Sequence, residues 1–165
     1  MIIEIKLDFK RYLRLMFSLT YRKPLIIFLT IIGLMMFIGS ILYFLGLNVP
    51  FDRPPYFQII LGFIIVGIIP FSIYRSTRKN FSSEGRLQEK TIYEFTDDRI
   101  KITGETFSLE MTWTKVYKII ELKEWILIYH NKLVANIIPK ESFGEDLSDF
   151  KNLLTNKNIN IKLKK

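Results

Sequence analysis

The sequence predicts a membrane helical hairpin joined to an α+β domain, an antiparallel sheet closed by one C-terminal helix. Three observations carry this. Two uncharged apolar runs, Leu25–Leu47 and Tyr56–Tyr74, stand eight residues apart. Beyond Lys90 the hydrophobic pattern changes to strand-like alternation, and from Ser142 it turns helical, with Leu147, Phe150, Leu153 and Leu154 on one stripe. Residues 1–23 form an N-terminal strand and interfacial segment, 24–79 the hairpin, and 80–165 the cytoplasmic domain.

Ile3, Ile5, Leu7 and Phe9 alternate with Glu4, Lys6 and Asp8, which is a strand period. Asp8 offers a side-chain acceptor to free N–H groups, so a helix is expected from Phe9. Along Phe9–Arg22 the residues Phe9, Leu13, Met16 and Thr20 share a face, with Lys10, Arg11 and Arg14 beside it. That reads as a short interfacial helix or as the charged flank of the next span. Pro24 suits the first turn of that span.

The runs of 23 and 19 residues reach roughly 34 and 28 Å at about 1.5 Å per residue, which matches a hydrocarbon core of about 30 Å. A backbone in lipid must satisfy its own hydrogen bonds, so each run is expected to be a helix. Gly33 and Ser40, and Gly39 and Gly46, recur at intervals of seven. Each pair would share a face able to pack on the other span or on a second copy. The connector Asn48–Pro55 has three prolines in eight residues and predicts a tight turn. Pro70 lacks an N–H and predicts a kink.

Asn80–Glu89 is a polar linker or a continuation of the second helix. Strands are expected at Thr91–Phe95, Arg99–Thr103, Phe107–Trp113, Val116–Leu122, Trp125–Tyr129 and Leu133–Ile138. Thr96-Asp97-Asp98, Gly104-Glu105 and His130-Asn131-Lys132 supply turn chemistry. Ser142 is placed to cap the last helix, with Glu145 and Asp146 in its first turns. The tail Lys157–Lys165 is basic, with Ile159, Ile161 and Leu163 spaced for a last strand. The expected core is Phe95, Ile100, Ile102, Phe107, Leu109, Met111, Trp113, Leu127, Ile137, Phe150 and Leu154. Ile2–Leu7 is expected to join an edge of this sheet, because an isolated strand leaves its backbone unpaired; the rival is a frayed terminus.

The net charge of +8 is unevenly placed. Residues 1–23 carry six Lys/Arg against Glu4 and Asp8, the connector only Asp52 and Arg53, and the stretch from Arg75 on 17 basic against 13 acidic residues. Basic residues flank the outer ends of both runs, so both termini are expected in the cytoplasm. The first run is too long for a signal-peptide core and has no small-residue cleavage site after it.

Chemistry is sparse. There is no cysteine, hence no disulfide framework and no thiolate metal site. His130 is the only histidine and sits in a turn pattern, as do Asp97 and Asp98. No Gly-rich phosphate loop, His/Cys cluster or nucleophile motif occurs, so neither an enzyme nor a cofactor is expected. Nucleic-acid binding is not expected either, since +4 over the last 91 residues makes no basic stripe. The candidate binding surface is Lys101, Lys115, Lys118 and Lys123 with Tyr117, suited to anionic lipid headgroups or an acidic peptide. Glu110, Glu121 and Glu124 among them equally suit an ordinary mixed-charge surface.

The stretch TIYEFTDDRIKITGETFSLEMTWTKVYKIIE, with Trp113 after its strand and Ile137-Ile138-Pro139-Lys140 before the last helix, resembles the YcxB-like proteins of bacteria. The two spans and the alternating N-terminus are similar to that family's layout. The resemblance implies a pleckstrin-homology-like sheet or barrel capped by a helix, at the bacterial plasma membrane, and brings no catalytic residues. The expected function is a non-catalytic binding or scaffold module at the inner face of that membrane. Its expected partners are the bilayer and a protein, with a second copy as a further candidate. The alternatives are a self-protection protein against a membrane-active peptide, or an accessory subunit of a transporter.

Overall fold

The computed structural model describes residues 1–156 and 161–163. They fall into two compact units, Asp8–Glu84 and Met1–Leu7 together with Gly85–Lys165.

Asp8–Glu84 holds three helices: α1 (Phe9–Thr20), α2 (Pro24–Phe44) and α3 (Tyr56–Ser83). Asp8 caps α1, its carboxylate accepting from the N–H groups of Lys10 at 3.0 Å and Arg11 at 3.4 Å. The buried residues of α1 are Tyr12 and Leu15, one position before Leu13 and Met16 on the expected stripe. Aromatic packing sets that rotation: the Phe9 and Tyr12 rings lie 5.5 and 5.7 Å from Phe81 on α3. α2 stops at Phe44, three residues short of the expected Leu47, and Gly46 takes φ +74°. Gly39 and Gly46 therefore share no helical face; Gly39 instead sits against the Phe51 ring. α3 runs through Pro70 and on to Ser83, so the polar residues after Tyr74 continue the helix.

The seam between α2 and α3 is built on glycine. A Cβ on Gly62 would stand 2.8 Å from the Gly33 carbonyl oxygen and 2.8 Å from the Phe37 nitrogen, and one on Gly33 2.7 Å from Ile65. Backbones approach this closely only where side chains are missing. Ser40, fully buried beside the seam, donates to the Met36 carbonyl at 2.7 Å. The large apolar side chains turn outward instead, among them Phe28, Met35, Phe57, Phe63 and Phe71, each at least 60% exposed.

The other unit has two four-stranded sheets. Sheet A runs β1-β2-β3-β4, with β1 (Ile2–Ile5), β2 (Thr91–Phe95), β3 (Arg99–Thr103) and β4 (Ser108–Thr112) all antiparallel. Sheet B runs β7-β6-β5-β8, with β5 (Lys118–Glu121), β6 (Trp125–Tyr129), β7 (Ala135–Pro139) and β8 (Ile161–Leu163). β8 pairs parallel to β5; the rest of the basic tail, 157–160 and 164–165, lies outside the described residues. The N-terminal strand takes the expected edge position, with Ile3 opposite Tyr93 and Ile5 opposite Thr91.

Both sheets share one core, in which Phe95 stacks near Tyr93, Trp113 and Phe143 and meets Phe150 at 4.9 Å. Phe150 and Leu154 come from α4 (Leu147–Asn156). Three expectations change here. α4 begins at Leu147, because Gly144 at φ +52° interrupts the 3₁₀ stretch Lys140–Asp146, and Ser142 caps nothing. Leu109 is 43% exposed and Phe107 half-buried, so the apolar alternation of β4 is only half used. On β7 it is Ile138 that is fully buried, with Ile137 half-buried. Trp113 is buried as expected, but in a 3₁₀ turn, where its indole N–H donates to the Thr96 carbonyl at 2.9 Å.

Candidate binding surface

The expected lysines do not gather in one place. Lys101 lies on β3, opposite Glu110 across the strand pair and 3.8 Å from the Glu94 carboxylate. Lys115, in the 3₁₀ turn after β4, lines a shallow hollow with Asp98, Arg99 and Glu110, where Arg99 and Glu110 are paired at 2.5 Å. Lys123 sits in the turn after β5, closed by the Leu122 N–H on the Trp125 carbonyl. Exposed pairs of this kind contribute little energy and hold mixed charge.

One group does cohere. Lys118 is opposite Tyr129 in the β5–β6 register, and its ammonium lies 4.6 Å from the Tyr129 ring and 5.5 Å from the Tyr117 ring. A cation over two aromatic faces is held by their quadrupoles, at about 0.5–1 kcal/mol per contact at an exposed site. Beyond Tyr129 the chain turns: Asn131 Oδ1 accepts from the N–H groups of Leu133 and Val134, both at 2.8 Å. This turn throws Leu133 and Val134 outward, 90% and 56% exposed, beside the 48% exposed Tyr117 end of the sheet. Alternation had placed Leu133 within a strand. The signal that could have found it is Asn131, whose side chain mimics a backbone turn.

A second cluster was missed. Glu121 on β5 takes Lys140 Nζ at 2.5 Å and Lys151 Nζ at 2.8 Å, joining the sheet to the start of the 3₁₀ stretch and to α4. Burial pushes its carboxyl up, but the two lysines outweigh this and hold it below the usual glutamate range. The cluster is a structural clasp whose side chains lie 11 (Lys140 to Lys151) to 30 (Glu121 to Lys151) residues apart in sequence, separations that periodicity does not connect. Among the described residues no three His, Cys, Asp or Glu side chains gather to hold a metal ion.

The family described as YcxB-like protein matches residues 95–154. That stretch is similar to the YcxB-like family. It runs from the last residue of β2 to Leu154 on α4, so the matched part contains Lys118, Tyr129, Leu133 and the Glu121 clasp, while β1 and the helical hairpin lie outside it. No curated protein and no solved structure matches the chain significantly.

Proposed function

We propose that the chain is a membrane-anchored, non-catalytic binding module of the bacterial plasma membrane. In this reading α2 and α3 span the bilayer twice and both termini are cytoplasmic. The two-sheet unit acts as a pleckstrin-homology-like domain that docks a protein partner with the Tyr117, Lys118, Tyr129 and Leu133 end of sheet B. The observation that carries the anchor is the inverted packing of the hairpin, with glycines inside and large apolar side chains outside. That arrangement suits lipid, where small residues bring helices together. The docking reading is supported by exposed Leu133 and Val134 next to aromatic rings and a cation, the residue types that anchor interfaces.

A photo-crosslinking amino acid in place of Leu133 tests the docking. The expected result is a discrete protein adduct in cells, weakened by Lys118→Glu. Adducts to lipid alone, or none, would refute it. Cysteines at Asn48 and Ser82 test the anchor: an impermeant thiol reagent added to intact cells should label the first and spare the second.

A further inference from the structure

We infer that the helical unit carries a docking collar for anionic phospholipid headgroups, built from cations of α1, the α1–α2 turn and the charged end of α3. This rests on α2 and α3 as membrane spans and adds which lipids they gather. The seam places the cations at one end of the hairpin. Ser40 reaches the Pro55 carbonyl at 3.5 Å, and Gly33 lies against Ile65, so the two helices run antiparallel. Nine residues back from Gly33 is Pro24, and nine residues on from Ile65 is Tyr74. Arg22 and Lys23, just before α2, therefore stand level with Arg75, just after the apolar run of α3. α1 starts at the same level, since the Phe9 ring lies 6.1 Å from the Tyr74 ring. Its apolar side is turned to α3, with Tyr12 and Leu15 buried, which leaves Lys10 and Arg14 exposed.

The charge of this collar is uncompensated within the unit. Outside the connector, residues 8–84 hold eight Lys/Arg against Asp8 and Glu84. Asp8 is engaged at the α1 cap. Among the described residues no ion pair reaches Lys10, Arg14, Arg22, Lys23, Arg75 or Lys79, and all six are exposed. The sheet unit behaves differently: its Lys90, Arg99, Lys101, Lys140 and Lys151 each meet a carboxylate. Lys10 and Arg14 stand four apart on one helix, Arg75 and Lys79 four apart on another, a like-charge spacing that weakens a helix in water. An external anion removes that repulsion. Beside the end of an apolar hairpin, the anions within reach are lipid phosphates, and a cation near an anionic leaflet gains about fivefold in association.

The test uses the full chain in phosphatidylcholine vesicles carrying a trace of spin-labelled phosphatidylglycerol or spin-labelled phosphatidylcholine. Electron paramagnetic resonance separates lipid held at the protein from bulk lipid and so compares the two headgroups. At about 0.1 M salt, phosphatidylglycerol should be favoured about fivefold, as one cation per headgroup predicts. In 1 M salt, where charges are screened beyond about 3 Å, the preference should vanish. Lys10→Gln, Arg14→Gln, Arg75→Gln and Lys79→Gln together should abolish it at the lower salt, with the circular dichroism spectrum unchanged. Lys101→Gln, Lys115→Gln and Lys123→Gln together should leave it intact. If the fourfold variant fails to fold, the salt series on the unaltered chain still decides. Equal association of both lipids, the result expected if the collar awaited an acidic protein, would overturn the inference. So would a preference indifferent to salt, kept by the fourfold variant or lost in the sheet variant. A chain that holds neither lipid would refute the spans themselves, whereas equal holding of both refutes the headgroup choice alone.

Discussion

The docking of β1 permits a residue-by-residue forecast. Met1 and Phe95 exchange backbone hydrogen bonds, the Phe95 N–H to the Met1 carbonyl at 2.8 Å and the Met1 amino group to the Phe95 carbonyl at 3.1 Å. In an antiparallel ladder such pairs alternate, so Tyr93 and Thr91 also direct their N–H groups to β1. The Thr96 N–H bonds the Arg99 carbonyl, which by the same alternation sends the N–H groups of Ile92 and Glu94 to β3. Ile3 and Ile5, 4% and 3% exposed, are the side chains that hold β1 down. Replacing both by alanine costs at least about 2 kcal/mol each. About 4 kcal/mol in all is roughly three decades in the docking equilibrium. It still falls short of the 5–15 kcal/mol typical of a whole domain. Amide hydrogen exchange in the double variant should therefore quicken by up to about a thousandfold at Thr91, Tyr93 and Phe95. Ile92 and Glu94 should quicken much less. Unchanged exchange at Tyr93, or equal acceleration at all five amides, would refute the assignment of β1 as a separately docked edge strand.

Gly62→Leu should force α2 and α3 apart, since its first side-chain atom meets backbone, not a movable side chain. A loss of about 1–3 kcal/mol in thermal stability in detergent is expected, against little change for Gly67→Ala, which has open space around it. Glu121→Gln removes the charge that Lys140 and Lys151 hold, and should cost about 1–3 kcal/mol at pH 7. Because the folded state depresses the Glu121 carboxyl, its contribution is fully present above the ordinary glutamate value. It fades as pH falls through the lower folded value, so the gap between wild type and Glu121→Gln in chemical denaturation should close on acidification. Trp113→Phe keeps most of the buried ring but loses the hydrogen bond to Thr96, leaving that carbonyl to water. About 1 kcal/mol of destabilisation is expected by the same measurement, and no change would place the indole N–H outside the energetics of the β2–β3 turn.

Much of the fold was legible because its signals are local. The alternation of Ile3 and Ile5 with Glu4, the acceptor at Asp8, and the helical stripe Leu147, Phe150 and Leu154 each reflect a period or a cap set by neighbours in the chain. Half of the candidate surface was legible too. Tyr117 and Lys118 were named from their residue types, but the Tyr129 ring that joins them comes from the facing strand. Leu133 was hidden because its outward turn depends on where the Asn131 side chain bonds.

By itself, then, the sequence determined two apolar helices, a sheet-forming domain and an N-terminal strand in search of an edge, since period and charge do not need distant contacts. Only the tertiary structure decided that β2 offers that edge. It also decided that Ile138 and not Ile137 fills the core, that Leu109 faces out, and that Gly144 delays α4 to Leu147. The physical reason is common to all four. Each depends on register, turn geometry or close packing between segments far apart in the chain, and none of these leaves a mark on the pattern of residues within one segment.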